Sequence, residues 1–292
     1  VSRGKASQAK IAPVALATAV LLLASLMGTV LVDVPAAQGA PLGKAYVLRK
    51  PVKVPHEEIP VMLAGDSVAE SLGWGLEVGA SQWHVDVEDV ALVGCGVTRL
   101  SPVYYYYQDM PRLVPLESYC QRWPQIYEED VRNFHPAIAV LLVGRWEVLN
   151  AIHDGHWVHI GQAWYDSYLE RQLEEAVQIL SRDGAQVVLL TAPYYHTGIK
   201  TPSGQEIPED HRWRVRFFNA LLKEVAAKYR GVVHVWNFNR EVDPQGRFQA
   251  EIDGVFVRRA DGVHMTIAGG IWLQSWFYPK ILALARQVGY RY

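Results

Sequence analysis

The chain has 292 residues, half of them hydrophobic and a fifth charged, with a formal net charge of −2. That is ordinary globular composition with enough length for one large core or two small ones. The near-neutral balance offers no basic surface for nucleic acid, and the sequence holds no C-x-x-C zinc pair, P-loop or G-x-G-x-x-G fingerprint.

In chain order, Arg3, Lys5 and Lys10 come first and precede Ile11–Val32, a run of 22 residues without a charge. A helix of that length crosses a hydrocarbon core of ~30 Å. Basic residues ahead of it predict a cytoplasmic N-terminus. The expected organisation is a basic segment over 1–10, a transmembrane anchor or signal h-region over 11–32, a linker over 33–58 and a folded domain over 59–292. The small residues Ala36–Ala40 leave cleavage open. The domain is then either membrane-anchored and extracytoplasmic, or secreted. In either compartment the even cysteine count favours a disulfide between Cys95 and Cys120 over two free thiols.

From residue 59 the pattern becomes regular. Apolar runs at 59–65, 84–94, 137–144, 185–193 and 232–238 read as strands. Between and after them, 68–82, 119–134, 163–184, 209–231 and 266–289 read as helices, with Gly184 and Gly231 as stops and Thr266 as an N-cap. This alternation predicts an α/β fold with a parallel sheet of about five strands and helices on both faces. Residues 101–117 and 150–162 read as irregular insertions at the carboxyl edge of the sheet.

Two strand–helix junctions carry chemistry. The first strand ends in Gly65-Asp66-Ser67, which places a serine at a helix N-terminus, where an anion is favoured. Taken alone, this reads first as a plain N-cap serine. The last junction holds Asp261 and His264, three apart. In a turn the carboxylate can fix the imidazole at Nδ1 and leave Nε2 to take a serine proton. In a doubly wound sheet both junctions lie on one edge, so Ser67 can face His264.

With "GDS" near its start and "DGVH" near its end, the domain resembles the SGNH (GDSL-type) esterases. The resemblance implies a flavodoxin-like three-layer α/β/α sandwich and a Ser67–His264–Asp261 triad. It implies an oxyanion hole from the Ser67 amide and a glycine of "LVGCGV", Gly94 or alternatively Gly96. It also implies a third donor in the block that here reads Gly144-Arg145-Trp146-Glu147, where Trp146 stands in the place of the family's asparagine. The Trp146 indole N–H or Asn150 are the two replacements in view. Arg145, Glu147 and Asn150 are expected to contact substrate.

The "GCG", C-x-x-W and "GRWE" segments add a narrower resemblance, to SGNH domains attached to acyltransferase-3 membrane proteins, which O-acetylate surface glycans. That implies a disulfide beside the active site and a multi-span acyltransferase partner, alongside membrane contact through the N-terminal helix. The expected function is an extracytoplasmic serine esterase or O-acyltransferase on acetyl esters of glycans, without cofactor or metal. The alternative is a non-catalytic glycan-binding module on a degenerate fold. His153, His156 and His159 read as part of a polar loop rather than a metal site. Tyr104–Tyr107 with Trp146 and Trp157 form either a sugar platform or packing for the insertion.

Overall fold

The five apolar runs become the strands β1 (Ile59–Gly65), β2 (Val85–Asp89), β3 (Ile138–Leu142), β4 (Gln186–Leu190) and β5 (Val233–Trp236). All pair in parallel, in the order β2-β1-β3-β4-β5. β3 is buried at every position, as a central strand covered on both faces must be. A computed structural model describes residues 58–290 other than 102, 108, 109 and 202; the described residues fall within one compact unit, 52–292.

The long helices are α1 (Ser67–Leu76), α2 (Trp123–Phe134), α3 (Ala163–Leu180), α4 (Arg212–Lys228) and α5 (Ile267–Gln287); a single short turn of helix, Phe238–Val242, follows β5. α1 packs on α5, while α2, α3 and α4 pack in a row, which gives helix layers on both sides of the sheet. Local chemistry sets their starts. Asp66 caps α1 by accepting from the Val68 amide at 2.8 Å. Thr266 caps α5 by accepting from the Gly269 amide at 2.8 Å.

This strand order puts a topological switch point between β1 and β3. Their outgoing connections leave in opposite directions and open a crevice at the carboxyl edge of the sheet. The β1 exit carries Ser67 and the β3 exit carries Arg145, Trp146 and Glu147.

The insertions differ from expectation. Residues 101–117 and 150–162 contribute the strands Val103–Tyr107, Met110–Val114, Asn150–His153 and His156–Val158, which form a four-stranded antiparallel sheet. His153 pairs with His156 across a two-residue turn in which Asp154 and Gly155 both take positive φ. Asp-Gly is the sequence signature of such a hairpin turn, and the histidine spacing obscured it. Among the described residues no group of three or more His, Cys, Asp or Glu converges as a metal site. The side chains of Tyr104–Tyr107 lie outside the described residues.

The expected membrane-spanning helix does not stand as part of this fold. Among the described residues no helix is long and apolar enough to cross a membrane. The segment 11–32, with 1–10 and 33–57, lies outside the described residues. The five-stranded α/β/α domain is the fold; the membrane anchor, and the membrane contact and localisation drawn from it, do not carry over.

Candidate active site

Ser67 opens α1 and is 8 % exposed. Its Oγ lies 2.8 Å from His264 Nε2. His264 Nδ1 lies 2.9 Å from Asp261 Oδ2. An ionised carboxylate only accepts, so Nδ1 carries the hydrogen and Nε2 is left to accept the Ser67 hydroxyl. Asp261 is held in turn: its Oδ1 accepts from the amides of Val263, at 2.9 Å, and His264, at 3.0 Å. Asp261 thus shapes the turn and orients the ring that the turn presents.

The turn is pinned to α1 by Ser71, one helical turn after Ser67. Its Oγ accepts from the Met265 amide at 3.1 Å and donates to Val68 O at 3.0 Å, both buried. On the other side, Arg258 Nη2 donates to Val263 O at 2.6 Å. His264 therefore sits between two anchored neighbours.

The electrostatics suit a general base. Burial pushes the His264 imidazolium down; Asp261 pulls it back up and Arg145 and Arg259 push it down, with a net lowering. Burial raises the Asp261 carboxyl, but the His264 ring and the two amides outweigh it and hold it below its ordinary value. At neutral pH the pair is a neutral imidazole beside a carboxylate.

The loop after β2 supplies the facing wall. Gly94 takes φ +79°, a left-handed turn that favours glycine. A side chain there would meet Trp146 Cζ2 at 3.8 Å, so the indole lies against Gly94. Trp146 Nε1 is buried from solvent. The ring thus packs at Gly94, with its N–H shielded from bulk solvent. Gly96 is required by close approach: a Cβ there would sit 2.0 Å from Glu147 Oε1.

Glu147 is fully buried, and its Oε1 accepts from the amides of Val97, at 2.7 Å, and Thr98, at 3.2 Å. It staples the glycine loop to the β3 exit. The loop is also tied through the Cys95–Cys120 disulfide, and Trp123 Nε1 donates to Val97 O at 3.0 Å.

The residues expected to touch substrate are engaged inside the protein. Arg145 Nη2 donates to Glu209 Oε1 at 3.1 Å in a buried ion pair. Asn150 Oδ1 accepts from Arg214 Nη1 at 2.7 Å, beside the same donor's bond to Val148 O at 2.8 Å. That bond uses the side-chain oxygen of Asn150, not its Nδ2 donor. Sequence reading missed Ser71, Glu209 and Arg214. The i, i+4 spacing of Ser67 and Ser71 was visible, but partners more than 60 residues away in sequence were not.

Asp66 is also fully buried. Burial first, then the charge of Glu147, pushes its carboxyl up to about 7, against the Val68 amide and Arg145. Burial likewise pushes Glu147 up.

The family model described as "SGNH domain (fused to AT3 domains)" matches residues 41–279. No curated protein sequence matches the chain. Among solved structures, the periplasmic domain of a Salmonella Paratyphi A lipopolysaccharide acetyltransferase is 14% identical, with 78% of this chain and 85% of that chain covered and a TM-score of 0.48. A GDSL-like lipase from Bacteroides thetaiotaomicron is 15% identical, with coverage of 82% and 93% and a TM-score of 0.48. TesA is 18% identical, with coverage of 77% and 99% and a TM-score of 0.45.

Proposed function

This chain belongs to the family of SGNH domains found fused to AT3 domains, and from that premise we propose that it is an acyl-enzyme-forming esterase or O-acyltransferase acting on acetyl esters of glycans. The SGNH-type serine hydrolase class follows from the family and from the Ser67–His264 contact; the acetyl group, the glycan and the individual roles below are our reading.

Ser67 Oγ attacks the ester carbonyl carbon as His264 Nε2 takes its proton. The carbonyl electron pair moves to oxygen, where the amides of Ser67 and Gly94 receive it. Trp146 fixes Gly94 by packing on it. Collapse of the tetrahedral intermediate breaks the bond to the leaving alcohol, which takes the proton from His264. The acyl-Ser67 ester is then attacked by water or by a glycan hydroxyl as His264 takes its proton; the acyl–Oγ bond breaks and Ser67 Oγ takes that proton back from His264. Asp261 holds the Nδ1–H tautomer throughout. Arg145, Glu147 and Asn150 serve as positioning residues in this scheme.

The observation that carries the reading is the continuous chain Ser67 Oγ, His264 Nε2, His264 Nδ1, Asp261 Oδ2, at 2.8 and 2.9 Å. Its test is hydrolysis of p-nitrophenyl acetate by the chain and by Ser67→Ala. The expected loss is on the order of 10³-fold or more. Undiminished turnover by Ser67→Ala leaves only the glycan-binding module. Acyl transfer to an added oligosaccharide, scored against hydrolysis, separates the two acceptors.

A further inference from the structure

An open cleft of about 320 Å³ adjoins the catalytic turn, lined by His196, Arg212, Arg247 and Phe248 with Tyr195 as its buried floor. It lies at the low end of the roughly 300–1,000 Å³ range of small-molecule sites. The His196 amide donates to Gly262 O at 2.9 Å. Gly262 sits between Asp261 and His264, and the approach is so close that a Cβ on it would lie 1.8 Å from His196 O. The cleft wall and the catalytic turn are thus one connected piece of backbone.

The charges in the cleft are unequal in availability. Asp210 is occupied: its Oδ1 accepts from the Thr197 amide and its Oδ2 from the Thr197 hydroxyl, both at 2.9 Å. Glu206 faces Lys200 at 3.8 Å and His211 at 3.7 Å. The two guanidinium groups are held only by neutral acceptors. Arg212 Nη1 donates to Gly246 O at 3.1 Å, and Arg247 donates to Gln245 Oε1 from Nε at 3.2 Å and Nη2 at 2.8 Å. Among the described residues neither is paired with a carboxylate. Their remaining N–H groups border a cleft whose other wall is the Phe248 ring, 5.7 Å from the His196 ring.

Two planar, permanently charged forks next to an aromatic face fit a carboxylate-bearing sugar ring. The guanidinium geometry matches a carboxylate, and the ring takes the apolar face of the sugar. We propose that this cleft is a subsite for an acidic sugar residue of the glycan, adjacent to the residue whose ester reacts at Ser67. The proposal deepens the functional reading above and rests on it for the glycan.

The test is direct binding to the full chain, measured calorimetrically with trigalacturonate and with its methyl ester as the neutral control. The acid is expected to bind more tightly than the ester, and Arg212→Gln/Arg247→Gln to weaken the acid on the order of tenfold without changing the ester. Both arginines are exposed, and circular dichroism of the variant checks that it folds. Equal binding of acid and ester, or equal binding of the acid by chain and variant, overturns the subsite. Glucose 6-phosphate binding as tightly as trigalacturonate, with the same arginine dependence, overturns the carboxylate assignment. The catalytic reading is scored separately by p-nitrophenyl acetate turnover, so one can fail while the other stands.

Discussion

His264 is set by opposed forces: burial and two arginines disfavour its charge, and Asp261 favours it, with burial the largest. A base must be neutral to act, so kcat/KM should rise with pH through an apparent pKa below the ordinary imidazole value of about 6.5. In Asp261→Asn the opposing interaction is lost. Its acid limb should move still lower, with kcat down by roughly 10³-fold or more because the tautomer is no longer held. An unmoved limb contradicts this role. Trp146 offers a second test. Its ring lies on Gly94 and its Nε1 is buried. Trp146→Phe should keep kcat within a few-fold, and Trp146→Ala should lose more. A drop of ~10²–10³ in Trp146→Phe would instead mark the indole as an oxyanion donor. At this scale the juxtaposition of Ser67, His264 and Asp261 was legible in the sequence, because Ser67 follows a strand and the other two share a short motif just ahead of a helix. The internal partners of Arg145, Glu147 and Asn150 were not legible: Glu209, Val97 and Arg214 come from distant segments that no local pattern links.

Among elements, the loop after β2 bears on catalysis most. Its own secondary structure is slight, and its ties include the Glu147 carboxylate, the Trp123 indole, the Tyr119 hydroxyl and the disulfide. The disulfide closes a segment of 25 residues, which corresponds to about 3–4 kcal/mol in the chain-entropy model. Cys95→Ala/Cys120→Ala should therefore lower the unfolding free energy by about 3 kcal/mol in urea. It should also lower kcat more than it raises KM, since Gly94 loses its support. Intact kcat would detach the disulfide from the oxyanion loop. The core elements were read well, because apolar runs and 3.6-residue periods report burial directly. The strand expected over 84–94 stops at Asp89, whose Oδ1 accepts from the Ala91 amide at 3.0 Å and turns the chain. The antiparallel sheet of the insertions escaped notice because its strands are short and one hairpin is marked only by Asp154-Gly155.

Over the whole molecule, the strand order β2-β1-β3-β4-β5 puts the β1 and β3 exits at one edge of the sheet, and the turn before α5 brings His264 to Ser67 there. The same crowding buries carboxyls beneath the site, and stability should record it. Asp66 is pushed up to about 7 in the folded chain, against about 3.9 unfolded. Between those values the unfolded chain has released a proton that the folded chain retains. Stability therefore falls as pH rises through this window, by an amount on the order of 4 kcal/mol, and is flat above it. Asp66→Asn keeps an acceptor for the Val68 amide and removes the titration. Its advantage in urea midpoint over the parent should be larger at pH 8 than at pH 5; an advantage independent of pH contradicts the burial argument. The central claim is that Ser67 is a nucleophile activated by His264, and fluorophosphonate labelling tests it most directly. Mass spectrometry should find a single adduct, on Ser67, formed rapidly by the chain and not by His264→Ala. Labelling that is absent, falls on another serine, or proceeds equally in His264→Ala would contradict the account.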